Sequence, residues 1–296
     1  MLRRHYRKVE NLLVDMRSTF LAPPNGLGTG VFAVVRLLVW HLLLKRVRKL
    51  FVAKFANLWF LYDTRVDGCA HAYIMRHADF GLECLIKQIL KPGDIYVDVG
   101  ANVGTDCLLA LHAGAFVHAF EPARIIYELL TVNALLNDFR QQCKLNQMVV
   151  SDKDEVLDFF ENILGYSGLN SILPGSVHEE HVRRVWSVSL DNYFRANSIG
   201  KVRLLKIDIE GAELAALRGA RNELEGGIID VIHWESNYKA PLEERRETLR
   251  YLEKAGYENF GIDYGKSRLV NWHGQHDCIS VRKERLDIAE SFRTVS

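Results

Sequence analysis

Two hydrophobic periods alternate along most of the chain. "IYVDVG" (95–100) is a short run of β-formers, and "DCLLALHAG" (106–114) spaces its leucines at helical intervals. "FVHAFEP" (116–122) returns to strand, "RIIYELLTVNALLND" (124–138) to helix and "KLNQMVVSD" (144–152) to strand. The same succession resumes with "VRLLKIDIEG" (202–211), "AELAALRGA" (212–220), "GIIDVIHWES" (227–236) and "LEERRETLRYLEKAG" (242–256). Strand and helix repeating at this spacing predict βαβ units and a doubly wound, mostly parallel α/β sheet. Two late β segments, around Phe260 to Tyr264 and Cys278 to Val281, have no helix between them and are expected to pair antiparallel at the sheet edge.

The first part of the chain has a different pattern. A helical stretch from Tyr6 to Phe20 is ended by "LAPPNGLGTG" (21–30), and it lacks the apolar centre and small-residue cleavage site of a signal peptide. The segment of about 31–55 reads as an amphipathic helix. Trp40, Leu43, Leu44, Val47, Leu50 and Phe51 fall on one side, and His41, Lys45, Arg48 and Lys49 on the other. Arg36, His41 and the basic residues that follow make it too charged for a membrane span. Its expected partners are its own domain, a second subunit or a membrane surface. The pattern divides the chain into a basic helical extension, 1–66, and an α/β domain, 67–296.

Charge sharpens that division. Net charge is +1, yet Met1 to Val66 holds twelve Lys and Arg against three acids, so the extension carries +9 and the remainder −8. Composition otherwise is that of a globular protein, 48% hydrophobic and 25% charged over 296 residues. The five cysteines form no CxxC pair and no even framework, which fits a reducing cytoplasm and excludes a zinc knuckle or a disulfide scaffold.

The chemistry is concentrated at the first strand–helix junction, Gly100-Ala101-Asn102-Val103-Gly104. A dinucleotide loop would place glycine where Asn102 stands, so that the backbone could approach a pyrophosphate. A side-chain amide there suits a ligand without phosphates, such as an amino-acid tail. Glu121, twenty-one residues after Gly100 at the tip of the next strand, is placed to accept from both hydroxyls of an unmodified ribose. Asp98 adds a carboxylate for an ammonium group, and Asp152 is a candidate partner for an adenine amino group or else a turn former. A ribose clamp beside carboxylates, with no phosphate cradle, points to S-adenosylmethionine.

Taken in order, "GDIYVDVGANVG", "FEP", "ELLTVNALLND", "VVSD", "LNSI", "SLDNYF" and "LLKIDIEGAELAALRGA" resemble the FkbM-type S-adenosylmethionine-dependent methyltransferases over roughly Gly81 to Lys283. The resemblance implies a class I methyltransferase fold of seven strands with the last antiparallel, and O-methylation of a small molecule or a glycan hydroxyl. It does not reach the basic extension.

Lys206, Asp208 and Glu210 alternate along "LLKIDIEG", so a strand would turn all three to one face, with Lys206 as an ion-pairing residue. His233 and Glu235 share a face of "VIHWES". If the two strands are neighbours, as in the fold the resemblance implies, these carboxylates and the imidazole converge. An alcohol acceptor must be aligned and must lose a proton. His233 is the first choice of base, Asp208 or Glu210 the second. The same groups leave a divalent metal open without assigning one. "GYSGLNSILPGS" (165–176) suits a loop over the acceptor pocket. No Asn/Asp-Pro-Pro-aromatic segment replaces "IDIE" and the basic residues lie outside the matched part, so nucleic acid is not the expected partner. The reading that results is a cytoplasmic O-methyltransferase, peripheral to a membrane if the extension binds one. The competing reading is an inactive methyltransferase-fold scaffold recruited through that helix.

Overall fold

The computed structural model describes residues 27–47, 50–76, 80–162, 172, 180–236, 242–263, 268–275 and 277–293. The expected helix Tyr6–Phe20, the proline-glycine break as far as Gly26, and the 165–176 loop apart from Ile172 lie outside these residues.

In chain order, helix α1 (Leu27–Val39) passes through a π turn, Trp40–Leu44, to a last helical segment, Lys45–Val47. Strands β1 (Leu50–Phe55) and β2 (Leu58–Asp63), then helices α2 (Asp67–Met75) and α3 (Phe80–Ile89), lead into the βαβ region. That region begins with β3 (Ile95–Val99), α4 (Thr105–His112), β4 (Phe116–Phe120), α5 (Arg124–Leu135) and β5 (Cys143–Asn146). Three short-sheet strands follow, β6 (Val149–Val150), β7 (Val156–Asn162) and β8 (Glu180–Val188). The chain continues through α6 (Leu190–Ala196), β9 (Val202–Ile207), α7 (Glu213–Arg218), α8 (Arg221–Gly226), β10 (Ile229–Glu235) and α9 (Leu242–Lys254). It ends with β11 (Tyr257–Asp263), β12 (Arg268–Asn271), β13 (Asp277–Arg282) and α10 (Leu286–Arg293).

The main sheet has the order β12-β11-β13-β10-β9-β3-β4-β5. Pairing is parallel from β10 to β5, while β13 runs antiparallel to both β10 and β11. The antiparallel pairing of the two late segments is as expected, but neither lies at the edge. β13 is inserted between β10 and β11, and the edge belongs to β12. Alternation along β3 sends Tyr96 into one buried cluster, and Val97 and Val99 into the other. The sheet is therefore covered on both faces, with α3, α4 and α5 on the first side and α6, α7 and α8 on the second.

Three local expectations are corrected. "KLNQMVVSD" is two strands in different sheets, because β6 leaves the main sheet to pair with β8. "VRLLKIDIEG" stops being a strand at Ile207, so Asp208 and Glu210 lie on a turn. Finally, the helix expected over 31–55 ends at Val47 and is followed by a hairpin. Ala56 and Asn57 both take positive φ (45° and 68°), the conformation that closes a two-residue hairpin, and Phe55 pairs with Leu58 across it. From Leu50 to Lys54 the residues alternate outward and inward, a period of two that overrides the helical one.

The described part of the extension packs on the α/β region. Leu37, Trp40, Phe55, Phe60 and Tyr62 share one buried cluster with Leu82, Val103 and Cys107 of the α/β region. Asn133 of α5 accepts from the Leu61 N–H (2.7 Å) and donates to the Val103 carbonyl (2.8 Å), tying the hairpin to the glycine loop. Among the described residues, no helix is long and apolar enough to cross a membrane.

Candidate active site

Two cavities open at the carboxyl ends of the central strands, where open α/β sheets bind their ligands. They share Asn102 and Asp208.

The first lies over β3 and β4. Gly100 and Glu121 form its polar side, and Phe120, Met148, Val149, Val150, Phe159 and Ile172 its apolar wall. Both carboxylate oxygens of Glu121 are held by backbone, Oε2 accepting from the Asn102 N–H (3.0 Å) and Oε1 from the Ala123 N–H (2.8 Å). Each oxygen keeps a second lone pair for a ligand hydroxyl. Burial raises the Glu121 pKa to about 7, against the pull of these backbone donors. A fixed carboxylate facing apolar side chains fits a ribose and an adjoining base.

The glycines of the loop have different duties. At Gly100 (φ +86°) a Cβ would lie 1.9 Å from the Asp208 carbonyl oxygen, so only glycine lets β3 and the turn after β9 approach so closely. Gly104 (φ +90°) lines neither cavity, and a Cβ there would meet Leu130 Cδ1 at 2.5 Å, so it permits close packing of the loop on α5. Asn102 stands at φ +48° with its Oδ1 accepting from the Val103 N–H (2.8 Å), and it lines both cavities.

Two further candidate residues lie outside both cavities. Asp98 is fully buried and lines neither cavity; Lys206 lies 3.4 Å away and the Cys107 thiol donates to Asp98 Oδ2 (3.1 Å). The carboxylate thus lies beneath the loop, held between Lys206 and Cys107. Asp152 is exposed, accepts from the Ser151 hydroxyl (3.3 Å) and lines neither cavity. It stands on the exposed bend that follows β6.

The second cavity lies over β9, β10 and the start of β13. Asp106, Lys206, Asp208, His233, Glu235 and Asp277 line it, with Asp67 and His71 contributed by α2. Lys206 Nζ donates to the Gly100 carbonyl (3.1 Å) and lies 3.3 to 3.4 Å from Asp98, Asp106 and Asp208. Burial opposes its charge, but these three carboxylates hold its pKa well above the ordinary lysine value. It is an organising cation.

His233 is 3% exposed on the cavity wall, and neither ring nitrogen has a hydrogen-bond partner among the described residues. Its Nε2 is 3.9 Å from Asp277 Oδ1. Glu235 pairs across the ladder with Asp277. Asp208, His233 and Glu235 therefore converge as expected, while Glu210 does not: it faces the first cavity with Asp208. Its φ of +54° costs about 1 kcal/mol for a residue with a Cβ. Glu213 holds this turn, Oε1 accepting from the Ile209 (3.2 Å) and Gly211 (3.0 Å) N–H groups. Burial raises the Glu213 pKa to about 7.

Sequence reasoning missed Glu213, Asn133, Asp277 and the apolar wall. The Glu213 signal was legible as a carboxylate placed just after a glycine turn; Asp277 is brought in only by the antiparallel strand insertion. Among the described residues no group of three or more His, Cys, Asp or Glu side chains is arranged to hold a metal ion.

A strand order with one antiparallel strand inserted next to the last parallel position, and a carboxylate after the second strand of the βαβ region, define a class I methyltransferase. The methyltransferase FkbM domain model matches residues 98–258, which is over half of the chain. The chain belongs to that family, whose methyl donor is S-adenosylmethionine. Methyltransferase sdnD of Sordaria araneosa is 27% identical over 225 residues, 66% of this chain and 83% of that protein. 31-O-demethyl-FK506 methyltransferase FkbM of Streptomyces tacrolimicus is 30% identical over 162 residues, 45% of this chain and 62% of that protein. Hexuronic acid methyltransferase AglP of Haloferax volcanii is 26% identical over 143 residues, 48% of this chain and 56% of that protein.

Proposed function

We infer that the chain is an O-methyltransferase that holds S-adenosylmethionine in the first cavity and a hydroxyl of a small-molecule or sugar acceptor in the second. The observation that carries this is His233, buried on the wall of the second cavity with both nitrogens unsatisfied by the described residues, next to the residues that join the two cavities. When bound, the donor supplies an electrophilic methyl group on a sulfonium. The protein's work is to hold, align and deprotonate.

Glu121 fixes the ribose, and Met148, Val150 and Phe159 cover the base. Asp208 stands between the two ligands, and Lys206 holds it in place. Nε2 or Nδ1 of His233 takes the acceptor's hydroxyl proton, and Asp277 lies close enough to stabilise the imidazolium formed. A low-dielectric, preorganised cavity makes such positioning more effective than it is in water. Two relatives carry names of small-molecule and sugar-acid methyltransferases, which supports this class of acceptor.

Isothermal titration with S-adenosylmethionine and, separately, NAD tests the reading. The expected result is binding of the first alone, weakened by about 1 to 3 kcal/mol in Glu121→Ala through loss of a charge-assisted hydrogen bond. Binding of neither ligand would shift the weight to a scaffold.

A further inference from the structure

We propose that the outer face of α1, continued by the β1–β2 hairpin, beds into an anionic lipid surface and anchors the enzyme there. A surface helix ordinarily buries one apolar stripe and leaves a polar face in water. In α1 and the π turn that continues it, the inward stripe is present in Ala33, Leu37 and Trp40, all nearly inaccessible. The outward face is apolar as well: Val31, Phe32, Val35, Leu42 and Leu43 are 46 to 66% exposed. The hairpin adds Leu50, Val52 and Trp59. Of the fifteen exposed large apolar side chains among the described residues, nine lie between Val31 and Trp59, so this surface is a concentration and not the usual scatter.

Charge selects the occupant. From Leu27 to Tyr62 the chain has six Lys and Arg and no acid. Arg36 is engaged with the Ile74 carbonyl (2.7 Å), but Lys45, Arg46 and Lys54 are exposed beside the apolar face. Lys54 lies 3.8 Å above the Trp59 ring, a pairing of aromatic body and cationic head suited to a headgroup boundary. A second copy of the chain, docking the same face about a twofold axis, would bring these like charges together with no acid to offset them. An apolar face whose own segment carries only positive charge is complementary to acyl chains beneath anionic headgroups.

The test is co-sedimentation of the full chain with phosphatidylcholine vesicles and with vesicles containing phosphatidylglycerol, at low and high salt. Binding is expected to the anionic vesicles and to weaken with salt. Lys45→Glu/Arg46→Glu should bind at least about twentyfold more weakly, at about fivefold per basic residue near the surface. Phe32→Ser/Leu43→Ser, both exposed positions, should lose about a hundredfold or more. Each variant should keep the wild-type melting temperature and affinity for S-adenosylmethionine, which separates this proposal from the assignment of the active site. The proposal is overturned if the wild type ignores anionic vesicles, or if Phe32→Ser/Leu43→Ser binds them as well as the wild type. Concentration-dependent dimerisation in sedimentation velocity, abolished by the same serine variant and without vesicle binding, would overturn it in favour of self-association.

Discussion

Asp98 and Lys206 are direct register partners on adjacent parallel strands, with their charged atoms 3.4 Å apart. The row continues, because Lys206 is in turn the register partner of His233 on β10. Three polar side chains thus lie side by side across the middle of the sheet, each at least 95% buried. Lys206 lies within ion-pair distance of Asp98, Asp106 and Asp208, so the ammonium offsets more than one desolvated charge. Lys206→Met should therefore destabilise the protein by about 3 to 5 kcal/mol in urea denaturation, the usual loss when a buried pair is broken from one side. Adding Asp98→Asn should recover part of that loss. A Lys206→Met protein within about 1 kcal/mol of wild type would show that the row is not held by this charge.

His233→Ala separates chemistry from binding. Loss of a positioned general base lowers turnover by about a hundred- to ten-thousandfold. Donor affinity should stay unchanged, since His233 lines only the second cavity. Stability should hold or rise, because the imidazole removed is a buried polar group with no hydrogen-bond partner among the described residues. Methyl transfer from labelled donor, with titration of the donor in parallel, checks both points; unchanged turnover would pass the role of base to Asp208.

A pH dependence follows from Glu121 and Glu213, both raised by burial to about 7 from an ordinary 4.5. Between those values the folded state holds protons that the unfolded state has released. Stability therefore falls as pH rises through this window, and the penalty is complete above about 7. His118 works in the opposite direction: burial lowers its pKa to about 4, so its contribution grows as pH rises from there toward 6.5. The difference between wild type and Glu213→Gln isolates the carboxylate. Relative to that variant, the wild-type melting temperature should decline steadily from pH 4.5 to pH 8, as read by scanning calorimetry. A constant offset between the two proteins would mean that Glu213 titrates normally.

Sequence patterns carried the sheet and the first cavity further than they carried the second. Strand–helix alternation and the twenty-one-residue step from Gly100 to Glu121 are local signals, and both survive in three dimensions. The burial of Asp98 was not legible, because Lys206, which offsets its charge, is distant in sequence and adjacent in the sheet. The position of Asp152 outside both cavities was not legible, because β6 leaves the main sheet before that residue is reached. The hairpin after Val47 was hidden by its Ala56-Asn57 turn, which lacks the usual glycine, and by apolar residues on both of its faces. Asp277 belongs to the site only because β13 is inserted beside β10, a long-range pairing that no spacing rule encodes.

The two glycines of the loop offer the most discriminating pair of variants. Both have positive φ, so alanine at either position costs about 1 kcal/mol of backbone strain. Their surroundings differ. At Gly104 the obstacle is the end of the Leu130 side chain, which can rotate away, and neither cavity is touched. At Gly100 the obstacle is the Asp208 carbonyl, fixed by a turn whose own N–H donates to Val99 (3.0 Å). Relief there requires the β9 turn to move, carrying with it Asp208 and the junction of the two cavities. Gly104→Ala should thus lose modest stability and bind S-adenosylmethionine normally. Gly100→Ala should lose about 1 to 3 kcal/mol more through overpacking and at least about tenfold in donor affinity. Calorimetric titration of both variants decides the matter: equal affinities would mean that the close approach of Gly100 to Asp208 shapes the fold without shaping the site.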